Sequence, residues 1–166
     1  SPDGFHVALG CEDATIRIWN LSERREERVL QGHRRRLTSV TYSTDGQWIL
    51  SGSEDGTARL WSAADGRLVR THERHSGPVS SVAMAPDGLT FATAGWDSMI
   101  WIWRVSDGAP LRQIRGHAET IWDVAYSPNG RRLASVGRDR MARLWDTETG
   151  DELMVLRHRD IMACTL

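Results

Sequence analysis

The sequence predicts an all-β protein in which one unit of four short strands is repeated four times. A motif that is clearest in residues 51–61 runs from small residues through an aspartate-bearing turn into a strand ending in tryptophan. Its copies end at tryptophans spaced 42 residues apart, each six positions after an aspartate: Trp19, Trp61, Trp103 and Trp145 follow Asp13, Asp55, Asp97 and Asp139. A fixed period of this size indicates a repeat protein. Alternating apolar positions between glycine turns indicate strands rather than helices.

Each unit is predicted to open with a strand of alternating apolar residues, at Leu37–Tyr42, Val79–Met84 and Ile121–Tyr126. An Asp-Gly or Asn-Gly turn follows, because these pairs suit a hairpin turn that needs positive φ. The second strands are predicted at 48–52, 90–94 and 132–136, the third at 57–61, 98–103 and 140–145, and the more polar fourth at 67–71, 111–114 and 152–156. The charged residues 22–28 are predicted to form an external loop.

We predict one repeat domain over residues 1–166, with units at about 1–33, 34–75, 76–117 and 118–158. Residues 159–166 would be the opening strand of a next or split unit. The four-stranded meanders must stack face to face, since each small sheet has two apolar faces to bury.

Composition excludes several classes of function. The net charge of −1 gives no general attraction to nucleic acid or to a membrane surface. The apolar runs are too short and too charged to span a bilayer. Cys11 and Cys164 do not form a disulfide framework, which favours a reducing cytoplasm. All 21 basic residues are arginine, which favours a GC-rich, bacterial coding sequence.

A Gly-His or Arg-His dipeptide opens each unit, and a tryptophan closes it. The pairs are Gly32-His33, Arg74-His75, Gly116-His117 and Arg157-His158. In these features the whole chain resembles the WD-repeat β-propeller family. Only Trp145-Asp146 is the literal dipeptide. The resemblance implies that each unit is a propeller blade and that the protein is a non-catalytic scaffold without a cofactor, which binds a protein or peptide. The alternative is a structural module that self-associates by completing its split blade and has no specific ligand.

The resemblance also implies a structural hydrogen-bond network in each blade. Its members would be His33, Ser51, Asp55 and Trp61; His75, Thr93, Asp97 and Trp103; and His117, Ser135, Asp139 and Trp145. A buried aspartate is costly unless its oxygens accept hydrogen bonds, which the histidine and nearby amides can donate. In the first unit Leu9 stands where the hydroxyl belongs, so we expect a weaker network there.

Two chemical alternatives compete with this structural interpretation. Histidine, serine and aspartate together are similar to a hydrolase triad, but the set recurs at one spacing in successive units. Structure requires such recurrence, whereas a single active site does not. His72 and His75 lie close enough in sequence to suggest a metal site. However, His75 belongs to the network and no further ligands cluster nearby, so neither catalysis nor a metal is predicted.

Partner-binding residues are predicted where the repeat leaves a choice. The residue before each structural aspartate varies, and the resemblance places these residues near the mouth of the central channel. Arg36 and Trp122 would lie beside them, at the start of the opening strands. We predict a partner site at Arg36, Glu54, Trp96, Trp122 and Arg138, because exposed tryptophan and arginine are enriched in binding hot spots. The alternative is that Trp96 packs on a neighbouring loop and that Trp122 fills a blade interface.

The segment from Ile161 to Leu166 matches the opening strand Ile121–Tyr126 position by position, and the first unit lacks such a strand. An unpaired apolar strand invites pairing with another chain. We therefore predict a homodimer in which this segment completes the first blade of the partner, giving a closed eight-bladed ring. The alternative is that the chain is part of one longer ring.

Overall fold

The computed structural model describes residues 1–157, and every regular element in them is a β-strand. The strands are β1 His6–Gly10, β2 Ile16–Asn20, β3 Arg25–Leu30, β4 Leu37–Tyr42, β5 Trp48–Ser53, β6 Ala58–Ser62, β7 Leu68–His72, β8 Val79–Met84, β9 Thr90–Gly95, β10 Met99–Arg104, β11 Pro110–Arg115, β12 Ile121–Tyr126, β13 Arg132–Gly137, β14 Met141–Asp146 and β15 Glu152–Arg157. The predicted all-β fold is confirmed.

The strands form four antiparallel sheets, which we call blades 1 to 4. Their orders are β1-β2-β3, β4-β5-β6-β7, β8-β9-β10-β11 and β12-β13-β14-β15, so each blade is a meander in chain order. Blade 1 has three strands within the described residues. The segment from Ile161 to Leu166, predicted to complete a first blade, lies outside the described residues.

The strand bounds follow the prediction closely, with one error. The opening strands β4, β8 and β12 have the predicted bounds. Residues 22–24 lie in a turn, but residues 25–28 are not part of a loop, because Arg25–Leu30 forms β3 and pairs with β2. The charged side chains belong to an outer edge strand, where they reach solvent and one another: Arg17 forms an ion pair with Glu26 at 2.9 Å. Charge on an edge strand discourages pairing with other chains.

The core lies between the blades. Ile16, Ile18 and Leu30 of blade 1 pack against Ile49 and Trp61 of blade 2, and equivalent clusters join blades 2 and 3 and blades 3 and 4. We call the side of a blade that contacts the preceding blade its leading face, and the opposite side its trailing face. The tryptophans of the leading faces, Trp61, Trp103 and Trp145, are at most 3% exposed.

The opening strands of neighbouring blades are tied together at β-bulges. Residues 38, 80 and 122 are each the extra residue where the register of the opening strand shifts. The Thr38 hydroxyl donates to the carbonyl oxygen of Val79 at 2.6 Å, and the Ser80 hydroxyl donates to that of Ile121. A bulge re-aims the side chain that it carries, so these two point to the following blade.

Candidate functional site

The hydrogen-bond network of blade 2 links four side chains in a chain. His33 Nδ1–H donates to Asp55 Oδ2 at 2.9 Å, and the Ser51 hydroxyl donates to His33 Nε2 at 2.8 Å. The Trp61 indole N–H donates to Ser51 Oγ at 2.9 Å. Asp55 also accepts from the backbone N–H groups of Arg34 and Thr57. Every polar group of the chain of four is therefore partnered.

Blades 3 and 4 contain the same network. The distance from His75 Nε2 to Thr93 Oγ1 is 2.8 Å, and that from Trp103 Nε1 to Thr93 Oγ1 is 3.0 Å. His75 Nδ1 lies 2.9 Å from Asp97 Oδ1. The corresponding contacts in blade 4 join His117, Ser135, Asp139 and Trp145. These side chains thus connect the loop before each blade to its second and third strands.

The network fixes an ionised aspartate beside a neutral histidine. Burial raises the pKa of Asp55, but hydrogen bonds from Arg34, Thr57 and His33 outweigh it and lower that pKa to about 2. Burial lowers the pKa of His33, although Asp55 acts in the opposite direction. The neutral histidine can then donate from Nδ1 and accept at Nε2, as the geometry requires. Such a histidine is held for structure and is bonded at both nitrogens.

Blade 1 lacks the centre of this network. Leu9 occupies the register position of Ser51, since Leu9 pairs with Arg17 as Ser51 pairs with Arg59. Asp13 instead accepts from Thr15 and Arg17 near the surface. Trp19 is 36% exposed, far more than its counterparts in the other blades.

The variable residues lie together at one end of the blades, which we call the loop face: Arg36, Glu54, Pro78, Trp96, Thr120 and Arg138. Three backbone hydrogen bonds place them side by side. The N–H groups of Glu54, Trp96 and Arg138 donate to the carbonyl oxygens of Arg36, Pro78 and Thr120 at 3.1, 2.9 and 2.8 Å. Each of these blades therefore presents two variable side chains from the same pair of positions.

The side chains of the loop face differ in chemistry from blade to blade. In blade 2, Arg36 Nη2 lies 2.6 Å from Glu54 Oε1. In blade 3, Trp96 is 52% exposed. In blade 4, Arg138 Nε lies 3.4 Å from Glu119 Oε2, and both side chains are at least half exposed. An exposed indole thus lies on the blade between two surface ion pairs.

Trp122 is placed differently from the other predicted partner-binding residues. It is the bulge residue of β12 and is half-buried. Its counterparts Thr38 and Ser80 point to the following blade, which assigns Trp122 to the trailing side of blade 4. The bulge, which no pattern in the sequence reveals, thus separates Trp122 from Trp96.

No pattern in the sequence marks several other contacts of the blades. Glu119 pairs with Arg138, although no repeated residue type indicates this position. The Arg74 guanidinium lies 5.9 Å from the centre of the Trp101 ring, where it makes a cation–π contact. His72 packs edge-on against Phe91 and Trp103, with ring centres 4.9 and 4.7 Å away. Only the positions of the rings could have revealed these pairs.

A group of metal ligands or a helix that could span a membrane would also bear on function. Within residues 1–157, no three His, Cys, Asp or Glu side chains are grouped as a metal ion would require. His72 and His75 do not converge, since His72 enters a blade interface and His75 joins the network. The described part of the chain also has no helix that is long and apolar enough to cross a membrane.

Comparison with known proteins agrees with this architecture. The general transcriptional corepressor TUP1 of Saccharomyces cerevisiae is 45% identical over 42 residues, which cover 25% of this chain and 6% of that protein. The 66 kDa stress protein of Physarum polycephalum is 47% identical over 49 residues, which cover 28% of this chain and 8% of that protein. The matches therefore span a small part of either relative.

A family model described as "WD domain, G-beta repeat" matches residues 1–20, 24–62, 66–104 and 108–146. The matched repeat is offset from the blade by one strand: residues 24–62, for example, contain the outer strand β3 of blade 1 and the first three strands of blade 2. Repeats of this type generally form non-catalytic scaffolds for interaction with proteins. Since these segments cover most of the chain and the structure has four antiparallel sheets, the protein is a member of the WD-repeat family.

Proposed function

We propose that the loop face binds a protein or peptide partner through Trp96, with Arg36, Glu54 and Arg138 flanking it. The observation that carries this proposal is the exposure of Trp96: an indole with 52% of its surface in water, at a position that the fold does not use. Tryptophan and arginine dominate the energetics of many interfaces. The network residues, by contrast, are bonded to one another and have no free polar group to offer a partner.

The charges around Trp96 set the kind of partner. Arg34 and Arg35 are exposed next to Arg36, and within residues 1–157 they have no ion-pair partner. A partner that covers Trp96 with an apolar side chain and places a carboxylate over these arginines would complement the surface. Charge complementarity of this type gives specificity and speeds association. A short acidic peptide segment with one large apolar residue fits these requirements.

The test uses a phage-displayed library of random peptides, selected on the wild-type protein. We expect a synthetic form of a selected peptide to bind Trp96→Ala at least tenfold more weakly in fluorescence polarisation, because a hot-spot truncation costs about 2 kcal/mol or more. Leu89→Ala is the matched control. Leu89 is 66% exposed and lies at the opposite end of β9 from Trp96.

The peptide affinity of Trp122→Ala is measured beside these variants, to distinguish the contribution of Trp122 from that of Trp96. Weaker binding only in Trp96→Ala assigns the site to the loop face, provided that its melting temperature equals that of the wild type. If selected peptides bind Trp96→Ala and the wild type equally, or lose affinity with Leu89→Ala instead, the loop face is not the site.

We also propose self-association by completion of blade 1, because within residues 1–157 no strand pairs with the inner edge of that blade. A groove of about 500 Å³ lies between β1 and β4, lined by Val7 and Ala8 on one side and by Val40 and Tyr42 on the other. In blades 2 to 4 the opening strand occupies the place next to the second strand. The groove thus has the position that an opening strand would fill.

The turn at the end of this groove has the geometry of the complete blades. Ser1 Oγ accepts from the His6 N–H at 2.9 Å, as Ser43 Oγ accepts from the Trp48 N–H at 2.9 Å. Ser43 directly follows the opening strand β4. A strand paired with β1 would therefore run toward Ser1, and we assign it to the segment from Ile161 to Leu166 of a second copy.

Light scattering tests the proposed dimer. We expect the wild-type chain to have twice the 18.7 kDa mass of one copy. Ala163→Pro should give monomers, since proline removes a backbone donor from the middle of the strand. Arg159→Pro, outside the paired segment, is the control and should remain dimeric. A wild-type mass of one copy contradicts the proposal.

A further inference from the structure

Blade 1 exposes on its leading face the apolar side chains that the other blades bury. Leu9, Trp19 and Leu21 are 46%, 36% and 50% exposed. Their positions correspond to those of Ser51, Trp61 and Ala63, which face blade 1 within the chain. This surface therefore has the shape of a blade interface, and no blade within residues 1–157 covers it.

Blade 4 exposes the complementary side. On its trailing face, Met154 and Leu156 of β15 are 51% and 57% exposed. Leu156 pairs with Ala142, as His72 pairs with Ala58 and Ile114 with Ile100. These counterparts of Leu156 are each 3% exposed, because the next blade covers them.

Each interface within the chain joins a fourth-strand residue of one blade to the tryptophan of the next. Leu30 shares a cluster with Trp61, and Ile114 shares one with Trp145. The His72 and Trp103 rings lie 4.7 Å apart. By the same register, Leu156 would meet Trp19, and both of these side chains are exposed.

At their outer ends, the exposed faces of blades 1 and 4 both have apolar side chains where the interfaces within the chain have a hydrogen bond. At the position of Met154, blades 1 and 2 have arginines that bind carbonyl oxygens of the next blade. Arg28 donates to Ala63 at 3.1 Å, and Arg70 donates to Asp107. Opposite Met154, the counterpart of Ala63 is Leu21. A hydrogen-bonding pair inside the chain is thus replaced by an apolar pair on the open faces.

We infer that the trailing face of blade 4 in one copy packs on the leading face of blade 1 in a second copy, with Leu156 against Trp19 and Met154 against Leu21. This inference rests on the self-association proposed above and assigns it a second contact surface. Two copies related by a twofold axis form the contact twice, so that both faces of each copy are covered. The result is a closed ring of eight blades, within the usual range for propellers.

Charge complementation tests the contact. Trp19→Asp and Leu156→Arg each place a charge in both contacts of the dimer, so each variant alone should have the mass of one copy in light scattering. An equimolar mixture should recover the dimer as a one-to-one complex. That complex contains one wild-type contact and one Asp–Arg contact. Leu89→Asp, exposed on blade 3 away from both faces, is the control and should stay dimeric.

Wild-type fluorescence provides a readout that does not depend on disruptive variants. Burial of Trp19, and of Trp122 on the trailing side of blade 4, should shift the tryptophan emission to shorter wavelength as the protein concentration rises, and Trp19→Phe should reduce this shift. A dimer that Ala163→Pro dissolves, but that survives Trp19→Asp and Leu156→Arg, overturns the face contact and leaves strand pairing intact. A wild-type monomer at all concentrations overturns both.

Discussion

Thr93→Val is expected to lower the free energy of unfolding by about 2–6 kcal/mol. The change preserves the shape of the side chain and removes only its hydroxyl. That hydroxyl donates to His75 Nε2 at 2.8 Å and accepts from Trp103 Nε1–H at 3.0 Å. The His75 and Trp103 side chains are buried, so neither can replace the lost hydrogen bond with one to water. Each buried polar group left without a partner costs about 1–3 kcal/mol, which gives the total. Urea denaturation followed by tryptophan fluorescence measures it.

Thr93→Ser is the matched control, because it keeps the hydroxyl, and blades 2 and 4 have serine at this position. Its loss of stability should be smaller than that of Thr93→Val. Equal losses for the two variants would show that the methyl group, and not the hydrogen bonds, stabilises blade 3. Blade 1 already lacks a hydroxyl at the equivalent Leu9, and its tryptophan is partly in solvent.

The sequence predicted most of the fold because the fold is repeated. A side chain that recurs every 42 residues must do the same task in each copy, and this recurrence alone marks the aspartate and tryptophan positions as structural. The opening strands were predicted to the residue because alternating apolar positions define each strand and a turn with glycine follows it. Strand β3 was missed since its charged residues are typical of a loop, and only pairing with β2 reveals the strand.

The candidate site was less predictable, because prediction relied on residues that recur in every repeat. Its residues vary between blades, so no recurrence marks them. The sequence indicated that Glu54, Trp96 and Arg138 hold one position, but not that Glu119 would pair with Arg138 or that a bulge would turn Trp122 aside. Exposure and ion pairing depend on the neighbouring loops, which come from other blades.

His72 is the buried residue that the repeat explains least. It is 3% exposed, and its Nε2 atom has no hydrogen-bond partner within the described residues. Blades 1 and 3 place Leu30 and Ile114 at this position. Its neighbours are the rings of Phe91 and Trp103 and the cation Arg70, and no carboxylate in residues 1–157 stabilises a positive charge on it. A protonated imidazole is therefore strongly disfavoured in the folded protein.

We expect His72 to make the interface of blades 2 and 3 sensitive to acid. Burial, with a further contribution from Arg70, lowers the pKa of His72 to about 4 from its ordinary 6.5. Between these values the unfolded chain binds the proton and the folded protein does not, so stability falls as the pH falls from about 6.5 to 4. The difference corresponds to about 3 kcal/mol at 1.36 kcal/mol per pKa unit.

His72→Leu removes the titrating group and supplies the side chain that blade 1 has at this position. The variant should be more stable than the wild type at pH 7, because a buried nitrogen without a partner is gone. Its advantage should grow by about 3 kcal/mol by pH 4 in urea denaturation. The carboxylates and other histidines are common to both proteins, so the difference between the two curves isolates His72. Parallel curves from pH 7 to pH 4 would show that the interface accommodates the imidazolium, through movement of Arg70 or entry of water.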